Sequence, residues 1–288
     1  MSQNSAIEWT EATWNPVTGC DRISPGCDNC YAMTLAARLK RMGQPRYRRD
    51  GDPRTSGPGF GLTLHPDKLN EPRRWRKPRT VFVNSMSDLF HKDVPPEFIW
   101  DVFETMRATP RHTYQVLTKR PKRMRNILLD FARATGLTPD GWAEWHPNVW
   151  LGTSIESREY VWRADRLREA PASVRFISAE PLLGPLIPHV WESDLEMGSY
   201  WPGAEPVPCG ITDGLDLGKI NWLIVGGESG ANARPMDPAW VRDLRDRCAE
   251  SGTAFFFKQW GGIRPKSGGR LLDGRTWDEM PQRATVPA

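Results

Sequence analysis

The sequence lacks any run of apolar residues that approaches the roughly 18 needed for a membrane-spanning helix. Its first residues, from Met1 to Trp14, are polar and acidic where a signal peptide would have a basic start followed by an apolar stretch. We therefore expect a cytoplasmic protein with no membrane segment.

Cysteine is scarce in this chain. There are five in 288 residues, an odd number that does not suit a framework of disulfides. Three of them, Cys20, Cys27 and Cys30, nevertheless fall within eleven residues. In a reducing compartment such a group indicates metal binding rather than disulfide formation.

A strong excess of charge of one sign is also absent. The formal net charge is +4 and the sequence pI is about 8.9, which permits an anionic partner such as nucleic acid without requiring one. Hydrophobic residues make up 39% and charged residues 26%, the composition of a globular protein able to bury a core. Fourteen tryptophans are unusual, and we expect most of them in core layers or in the wall of a cleft.

No internal repeat is present beyond an alternation of short apolar runs with segments of helical character. The runs are mostly continuous, as in strands buried on both faces of a parallel sheet. They cover residues 80–85, 113–119, 149–154, 174–180, 222–228 and 254–259, and a first strand is expected at 7–10. This alternation predicts an α/β fold, a full or partial parallel β/α barrel of the TIM type, with an open doubly wound sheet as the alternative.

Helices are predicted between the runs, and less regular regions interrupt the alternation. The helical segments are 95–108, 121–134, 159–169 and 238–251. The last of them follows Asp237, a good N-cap, and has proline at its first position. We expect a single barrel domain over residues 1–262, with insertions at about 40–79 and 189–219, followed by a C-terminal tail at 263–288.

Polar side chains follow the predicted strands directly. In a parallel barrel these strand ends converge on the face that carries the site. The residues are Asn84, Ser85, Asp88, Thr118, Lys119, Arg120, Thr153, Ser154, Glu180, Glu228, Lys258 and Gln259. The sequence therefore predicts a polar cavity at the mouth of the barrel.

The most informative stretch is the cysteine loop, residues 20–30. Gly19, Pro25 and Gly26 supply turns that allow three thiolates to wrap one metal centre. Three cysteine ligands suit a 4Fe–4S cluster with one iron left open, because the usual protein ligand set is four. Structural zinc also takes four protein ligands, so zinc with a fourth ligand from elsewhere in the chain is the alternative. Cys248 has the helical spacing of a core thiol.

Seven short motifs are spread along the chain from about residue 5 to residue 262. They are Trp14-Asn-Pro-Val-Thr-Gly-Cys20 with Cys27, Cys30 and Tyr31; Phe82-Val-Asn-Ser-Met-Ser-Asp88; Val116-Leu-Thr-Lys-Arg120; Leu151-Gly-Thr-Ser154; Ser178-Ala-Glu-Pro-Leu182; Val225-Gly-Gly-Glu-Ser-Gly230; and Phe257-Lys-Gln-Trp-Gly261. Together they resemble the phage Gp37/Gp68-like family (DUF5131). That family looks like a divergent branch of the radical S-adenosylmethionine (SAM) proteins, and the resemblance implies a three-Cys-motif protein as a partner.

The resemblance implies a 4Fe–4S cluster on Cys20, Cys27 and Cys30, with SAM as a second cofactor. Radical SAM proteins usually have the spacing C-x3-C-x2-C, whereas this chain has C-x6-C-x2-C, with an aromatic just after the last cysteine. The predicted cofactor-binding residues are Asp88 for the SAM amino group, Ser154 for the ribose, and Asn84, Ser85 and Tyr31. The predicted catalytic residues are Glu180, Glu228, Lys119 and Lys258, for substrate or proton handling, with salt bridges around the rim as the alternative role.

Arginines interleave with aromatic residues in the first insertion. They are Arg46, Arg48, Arg49, Arg73, Arg74 and Arg76, with Tyr47 and Trp75 among them. This pattern is typical of proteins that bind nucleic acid, although a solvated arginine-rich insertion has the same composition. Our leading hypothesis is a radical SAM-type iron–sulfur enzyme that acts on nucleic acid. The alternative is a non-catalytic metal-binding module, with iron–sulfur or zinc, in phage–host interaction.

Overall fold

The computed structural model of the chain describes residues 5, 7–187, 214–264 and 266–282. The strands of this part are β1 (Ala12–Trp14), β2 (Val17–Thr18), β3 (Thr63–Leu64), β4 (Thr80–Val83), β5 (Thr113–Thr118), β6 (Val149–Ser154), β7 (Val174–Ala179), β8 (Trp222–Gly226) and β9 (Ala254–Gln259). The helices are α1 (Tyr31–Arg41), α2 (Pro96–Arg107), α3 (Pro121–Ala134), α4 (Pro139–Trp145), α5 (Trp162–Arg168) and α6 (Pro238–Ser251). The alternation predicted from the sequence is present, but the first strand lies at Ala12–Trp14 and not at 7–10.

Seven strands form one parallel sheet in the order β1-β4-β5-β6-β7-β8-β9. Strands β2 and β3 form a separate antiparallel pair. Apart from that pair, each strand lies beside the next one along the chain, whereas a doubly wound sheet reverses its order at a switch point. The barrel prediction is therefore confirmed, and the doubly wound alternative is wrong.

The sheet is curled rather than flat. Trp9, just before β1, and Trp222, at the start of β8, have ring centroids 6.2 Å apart. Four strands lie between β1 and β8, so a flat sheet would separate them by about 24 Å at roughly 4.8 Å per strand. Trp9 also contacts Phe82 of β4, with ring centroids 4.8 Å apart. The seven strands therefore form a partial barrel whose interior is filled by aromatic side chains.

Both faces of the sheet are buried, which explains the continuous apolar runs. In β6, Trp150 lies in the barrel interior with Phe176 and Trp222. Its neighbours Val149 and Leu151 belong to the larger core that includes the helices. The alternation arises because successive side chains of a strand point to opposite faces. Each large apolar side chain buried in this way contributes roughly 1.5–3 kcal/mol relative to exposure.

The helices begin and end at local sequence signals. Helix α6 follows Asp237, whose carboxylate accepts a hydrogen bond from Ala239 N at 2.8 Å. It ends at Gly252, which has the left-handed φ of 70° that glycine adopts without strain. The predicted helices at 121–134 and 238–251 have these bounds in the structure, and those at 95–108 and 159–169 are observed as 96–107 and 162–168. None of the described helices combines the length and apolar character needed to cross a lipid bilayer.

Residues of the predicted tail cover the β9 edge of the sheet. Phe256 and Asp278 form an antiparallel bridge, Phe257 N donates to Trp277 O at 2.9 Å, and Leu272 is fully buried. These contacts satisfy backbone groups that an open edge strand would expose. Most of the insertion predicted at 189–219 lies outside the described residues, as does Cys209.

His146 is a buried histidine just after α4, with 2% of its surface exposed. Its Nδ1 donates a hydrogen bond to the Trp142 carbonyl at 3.1 Å, and its Nε2 has no partner among the described residues. Burial, the largest influence, lowers the pKa of His146 from 6.5 to about 4. The unfolded chain therefore protonates His146 at a higher pH than the folded chain does. The free energy of unfolding must then fall as the pH falls from 6.5 to about 4.

We expect His146 to contribute a slope of about 1.4 kcal/mol per pH unit to the free energy of unfolding between these two pKa values. Urea unfolding at a series of pH values measures this slope. The His146→Phe variant keeps an aromatic ring beside Trp142 and should lose that part of the acid sensitivity. Parallel stability curves for the two proteins would contradict the assignment.

Candidate metal centre

The carboxyl ends of the parallel strands surround a cavity of about 530 Å³. This is the end of a β/α barrel at which the loops after the strands converge and active sites are built. The structure brings all twelve predicted site residues to the wall of this one cavity. They are Cys20, Cys27, Cys30, Tyr31, Asn84, Ser85, Asp88, Lys119, Ser154, Glu180, Glu228 and Lys258. Their individual chemical roles stay predictions.

Strand alternation decides which polar residues reach the cavity. On β9, Phe256 lies in the barrel interior and Lys258, two residues further, lines the cavity. On β7, Phe176 lies in the interior, and Ser178 and then Glu180 line the cavity. The period of two keeps these side chains on one face of the strand. Ser178 was not predicted for the site, although the same alternation indicates it.

The cysteine loop lies at the rim of the cavity, between β2 and α1. Gly19 N donates to Met86 O at 2.9 Å, and Cys20 N donates to Phe60 O at 3.3 Å. Cys27 ends a short 3-10 turn, and Cys30 is the N-cap residue of α1. All three thiols are partly exposed. The backbone contacts of Gly19 and Cys20 before the loop and helix α1 after it therefore fix the position of the cysteine loop at the cavity.

The three thiols line the same cavity. The described His, Cys, Asp and Glu side chains form no group of three that is arranged to hold one metal ion. A tetrahedral zinc with Zn–S bonds of about 2.3 Å would draw its sulfurs to roughly 3.8 Å from one another. An iron–sulfur cluster instead binds its thiolates through different irons, which lets them lie farther apart.

Burial raises the pKa of the Cys20 thiol to about 12, and it also raises the pKa of Cys30. Both thiols are therefore protonated at neutral pH in the metal-free chain. Metal ligation requires the thiolate, so loading of this site has to release protons.

Asp88, predicted to contact the SAM amino group, is surrounded by donors of the chain itself. Its Oδ1 accepts from Thr118 Oγ1 at 2.7 Å and from Phe90 N at 2.9 Å. Its Oδ2 accepts from Arg120 Nη1 at 2.9 Å and from Lys119 N at 3.1 Å. A carboxylate offers about four lone-pair sites, and these four donors occupy them. Asp88 thus joins the ends of β4 and β5, and a ligand would have to displace one of these donors.

Glu228, predicted as catalytic, holds the cysteine loop against the end of β8. Its Oε2 accepts from Asn29 Nδ2 at 2.8 Å and from Arg234 Nε at 2.9 Å, and its Oε1 accepts from Arg234 Nη2 at 2.6 Å. The same guanidinium donates to Pro25 O at 2.8 Å. Although burial, the largest influence, acts to raise it, the hydrogen bonds from Arg234 and Asn29 bring the pKa of Glu228 below its ordinary value. Glu228 therefore contacts the cysteine loop directly through Asn29 and indirectly through Arg234, which contacts Pro25.

Replacing Glu228 with glutamine is expected to loosen the cysteine loop. A hydrogen bond to a charged group contributes about 1.5–3 kcal/mol, and the neutral amide keeps neither the charge nor both contacts with Arg234. Amide hydrogens of residues 20–30 should therefore exchange at least about tenfold faster in hydrogen-exchange mass spectrometry. Glu250→Gln, at an exposed position of α6, is the control and should leave the loop unchanged. Equal exchange in the two variants would show that Glu228 does not hold the loop.

Glu156 is a fully buried carboxylate that no sequence pattern indicated. Its Oε2 accepts from Arg163 Nη1 at 2.9 Å and from Lys119 Nζ at 3.3 Å, and its Oε1 accepts from Gly26 N at 3.4 Å. Burial acts to raise the pKa of Glu156, but Lys119 and Arg163 bring it below the ordinary value. Lys119, predicted as catalytic, is therefore paired with a carboxylate that also contacts the cysteine loop.

A second ion pair lies in the cavity wall at the ends of β7 and β9, on either side of β8. Glu180 Oε1 and Lys258 Nζ are 2.9 Å apart, and Ser178 Oγ donates to Glu180 Oε2 at 3.4 Å. Burial acts to lower the pKa of Lys258, but Glu180 raises it above the ordinary value. A side chain at position 226 would block this arrangement, because a Cβ on Gly226 would lie 2.5 Å from Glu180 Oε1. Gly226, two residues before Glu228, therefore makes room for the Glu180 carboxylate.

The segment after β4 contributes a buried donor to the wall. Asn84 has a left-handed φ of 60°, and its Oδ1 accepts from Val17 N at 3.3 Å. Its Nδ2 is buried and has no partner among the described residues. The carbonyl of Ser85 accepts from the Tyr31 hydroxyl at 2.5 Å, which joins the first turn of α1 to the end of β4. An unsatisfied buried donor costs about 1–3 kcal/mol.

The arginines predicted to bind nucleic acid lie at two opposite ends of the strands. Arg49 O accepts from Gly61 N, next to the Phe60 carbonyl that contacts Cys20. The segment that carries Arg46, Arg48 and Arg49 therefore lies beside the cysteine loop, although none of the three lines the cavity. Arg111 Nη2, just before β5, donates to Arg73 O at 3.1 Å, which places Arg73, Arg74 and Arg76 at the amino end of the sheet. A six-residue strand such as β5 spans about 16 Å. The six side chains therefore form two separate groups.

Glu156 and Arg234 help to build the site and were not predicted, whereas Arg120 was predicted only as one of the polar residues at the strand ends. Arg120 has a sequence signal, since it directly follows β5, but its partner Cys20 lies 100 positions earlier in the chain. Glu156 and Arg234 lie in loops and show no local signal. Only the pairing of distant segments reveals these three contacts.

Comparison with known proteins gives a family match and a distant structural likeness. The family model described as "Protein of unknown function (DUF5131)" matches residues 4–281. No curated protein matches the chain in sequence. Spore photoproduct lyase complexed with dinucleoside spore photoproduct is 13% identical, with a TM-score of 0.42 over 86% of this chain and 63% of the lyase. A mutant of that lyase with bound AdoMet and dinucleoside spore photoproduct is 13% identical, with a TM-score of 0.41 over 87% and 64%.

The chain thus spans less than two thirds of the length of these lyase structures. A likeness this distant carries no argument about activity. The fold assignment rests on the strand order and pairing described above, and the chemistry has to be argued from the cavity itself.

Proposed function

Because this chain belongs to the DUF5131 family, whose cysteine motif resembles that of radical SAM proteins, we propose that it is an iron–sulfur enzyme that binds SAM and cleaves it reductively. The observation that carries the proposal is the convergence of Cys20, Cys27 and Cys30 on one cavity at the mouth of a parallel partial barrel. Three thiolates fit a 4Fe–4S cluster that keeps one iron open for a ligand. When bound, such a cluster supplies the electron that breaks a carbon–sulfur bond of SAM.

The chain supplies a fixed frame for the three thiolates. Cys20 is held by its backbone contact with Phe60, and Cys30 opens α1, whose N-terminal partial positive charge favours a thiolate. Glu228 and Arg234 hold the middle of the loop through Pro25 and Asn29. These contacts support a loop that is arranged to bind its centre with little further ordering.

The cavity has the size and lining of a small-molecule site. Its volume of about 530 Å³ falls within the range of roughly 300–1,000 Å³ usual for such sites. Trp9, Phe82 and Leu117 supply apolar surface that excludes water from the reacting groups. Asn84 and Ser154 line the wall, and Ser154 is the proposed ribose contact.

Glu180 and Lys258 are the proposed residues for substrate binding or proton transfer. Of the four predicted catalytic residues, these two face the cavity as a pair without contacts to the cysteine loop among the hydrogen bonds of the described residues. Lys119 and Glu228 serve better as positioning residues, since both are paired with groups that hold the loop. The proposed catalytic pair is therefore separate from the hydrogen bonds that hold the cluster loop.

Nucleic acid is the proposed substrate class. Support comes from Arg46, Arg48 and Arg49, because their segment lies beside the cysteine loop and arginines attract phosphates. Arg73, Arg74 and Arg76 lie at the other end of the strands and give the proposal no support. A three-Cys-motif protein is the proposed protein partner, on the family resemblance alone.

Anaerobic purification and reconstitution with iron and sulfide test the proposal. We expect about four irons and four sulfides per chain, as the cluster type requires. SAM should change the electron paramagnetic resonance spectrum of the reduced protein, and the reduced protein should release 5′-deoxyadenosine from SAM. A cluster that never responds to SAM would favour the non-catalytic metal-binding module. One zinc per chain and no iron after oxygen-free purification would exclude the enzyme.

A further inference from the structure

Arg120 makes a direct contact with one of the three thiols. Its Nη1 lies 3.5 Å from Cys20 Sγ, and its Nη2 donates to Asp21 O at 3.3 Å. The guanidinium therefore contacts both the sulfur and the backbone of the residue that follows it. Only 14% of the Arg120 side chain is exposed, so solvent screens its charge weakly.

The position of this guanidinium is fixed by its neighbours. Nη1 also donates to Asp88 Oδ2 at 2.9 Å, and Asp88 is itself held by Thr118, Phe90 and Lys119. The backbone of Arg120 donates to Thr118 Oγ1 at 2.8 Å. Because both ends of the side chain are held, its charge stays beside Cys20.

A fixed positive charge at a ligand sulfur has a defined effect on an iron–sulfur centre. Reduction adds one negative charge to the centre, and a nearby cation or hydrogen-bond donor stabilises that reduced form. The effect is larger in a partly buried site, where the effective dielectric constant is low. An arginine that contacts a ligand sulfur therefore raises the reduction potential of the centre.

We propose that Arg120 is a positioning residue that raises the reduction potential of the cluster through its contact with Cys20. The inference rests on the proposed function, since it requires an iron–sulfur cluster on the cysteine loop. Its consequence is that the chain itself adjusts how readily the cluster accepts the electron used to cleave SAM. Asp88, whose carboxylate accepts hydrogen bonds from four donors, holds the arginine in place.

Potentiometric titration of the reconstituted protein, followed by electron paramagnetic resonance, tests the inference. Arg120→Gln should lower the midpoint potential, with a change of about tenfold in the reduction equilibrium, which is roughly 59 mV for one electron. Arg120→Lys keeps the charge without the planar fork and should give a smaller decrease. Arg22→Gln is the matched control, because this substitution also removes one positive charge. Arg22 is exposed and contacts Met33 Sδ rather than a thiol.

The outcomes separate this inference from the proposed function. A wild-type protein that assembles no cluster would overturn both. A wild-type cluster whose potential is the same in Arg120→Gln, or moves equally in Arg22→Gln, would overturn the inference alone. If both Arg120 variants keep the wild-type circular dichroism and unfolding temperature but retain no cluster, Arg120 acts in cluster assembly, and the role in tuning the potential is wrong.

Discussion

Replacing Cys27 with serine is expected to remove the iron–sulfur cluster from the protein. Cys27 lies in the middle of the loop and lines the cavity with the other two thiols, so its loss leaves two ligands. Changes to groups outside the ligand set already weaken metal binding by about 10–100-fold, and loss of a ligand should reduce the iron content at least about tenfold. Iron and acid-labile sulfide analysis after anaerobic reconstitution measures the effect, and release of 5′-deoxyadenosine should disappear with it.

Cys248 supplies the matched control for this experiment. It is 1% exposed on α6 and packs in the main core with Val241 and Leu244. Cys248→Ala removes a thiol without touching the cavity and should lower the free energy of unfolding by about 1 kcal/mol through lost packing. Its iron content should match that of the wild type. Equal iron content in Cys27→Ser and in the wild-type protein would place the metal elsewhere and remove the basis of the proposed function.

Replacing Glu156 with glutamine is expected to give the largest loss of stability among the variants considered. The carboxylate is fully buried, and its partner Arg163 is 2% exposed, so the substitution leaves a buried guanidinium without its counter-charge. Removing one member of a buried pair costs about 3–5 kcal/mol. Urea unfolding followed by tryptophan fluorescence measures the loss. Because Glu156 also accepts from Gly26 N, the cysteine loop should become more accessible to protease in the same variant.

A surface ion pair provides the comparison. Glu169 lies 2.9 Å from Arg166 and 2.7 Å from Arg125, with 39% of its side chain exposed. Glu169→Gln should change the free energy of unfolding by no more than about 1 kcal/mol, because solvent screens exposed pairs. A loss of similar size in Glu156→Gln and Glu169→Gln would mean that burial does not set the strength of the Glu156 pair.

Much of the fold follows from local sequence. The strands were predicted because their apolar runs are continuous, and the structure shows the reason: Trp150 lies in the barrel interior while Val149 and Leu151 lie beneath the helices. Helix α6 was predicted with its observed bounds, and its start was predicted because Asp237 and Pro238 are local signals. Sequence reasoning was wrong about the first strand, since the segment 7–10 contributes Trp9 to the interior without joining the sheet there.

The candidate site was predictable in position but not in its internal pairing. Parallel strands end at one edge, so residues that follow them must meet there, and all twelve predicted residues do line one cavity. The role of each carboxylate depends on which donors the fold brings to it. Asp88 and Glu228 were predicted to contact a cofactor or substrate, and in the structure both are held by arginines, Arg120 and Arg234.

The sequence by itself determined the strand–helix alternation, the group of three cysteines and the polar residues at the strand ends. These features depend on periodicity and close spacing, which a chain carries before it folds. The tertiary structure decided which side chains hold the cysteine loop and which face the cavity. Asn29 meets Glu228 across 199 positions, Gly26 meets Glu156 across 130, and Cys20 meets Arg120 across 100. Contacts between such distant segments arise only when the sheet curls and brings its strand ends around one space.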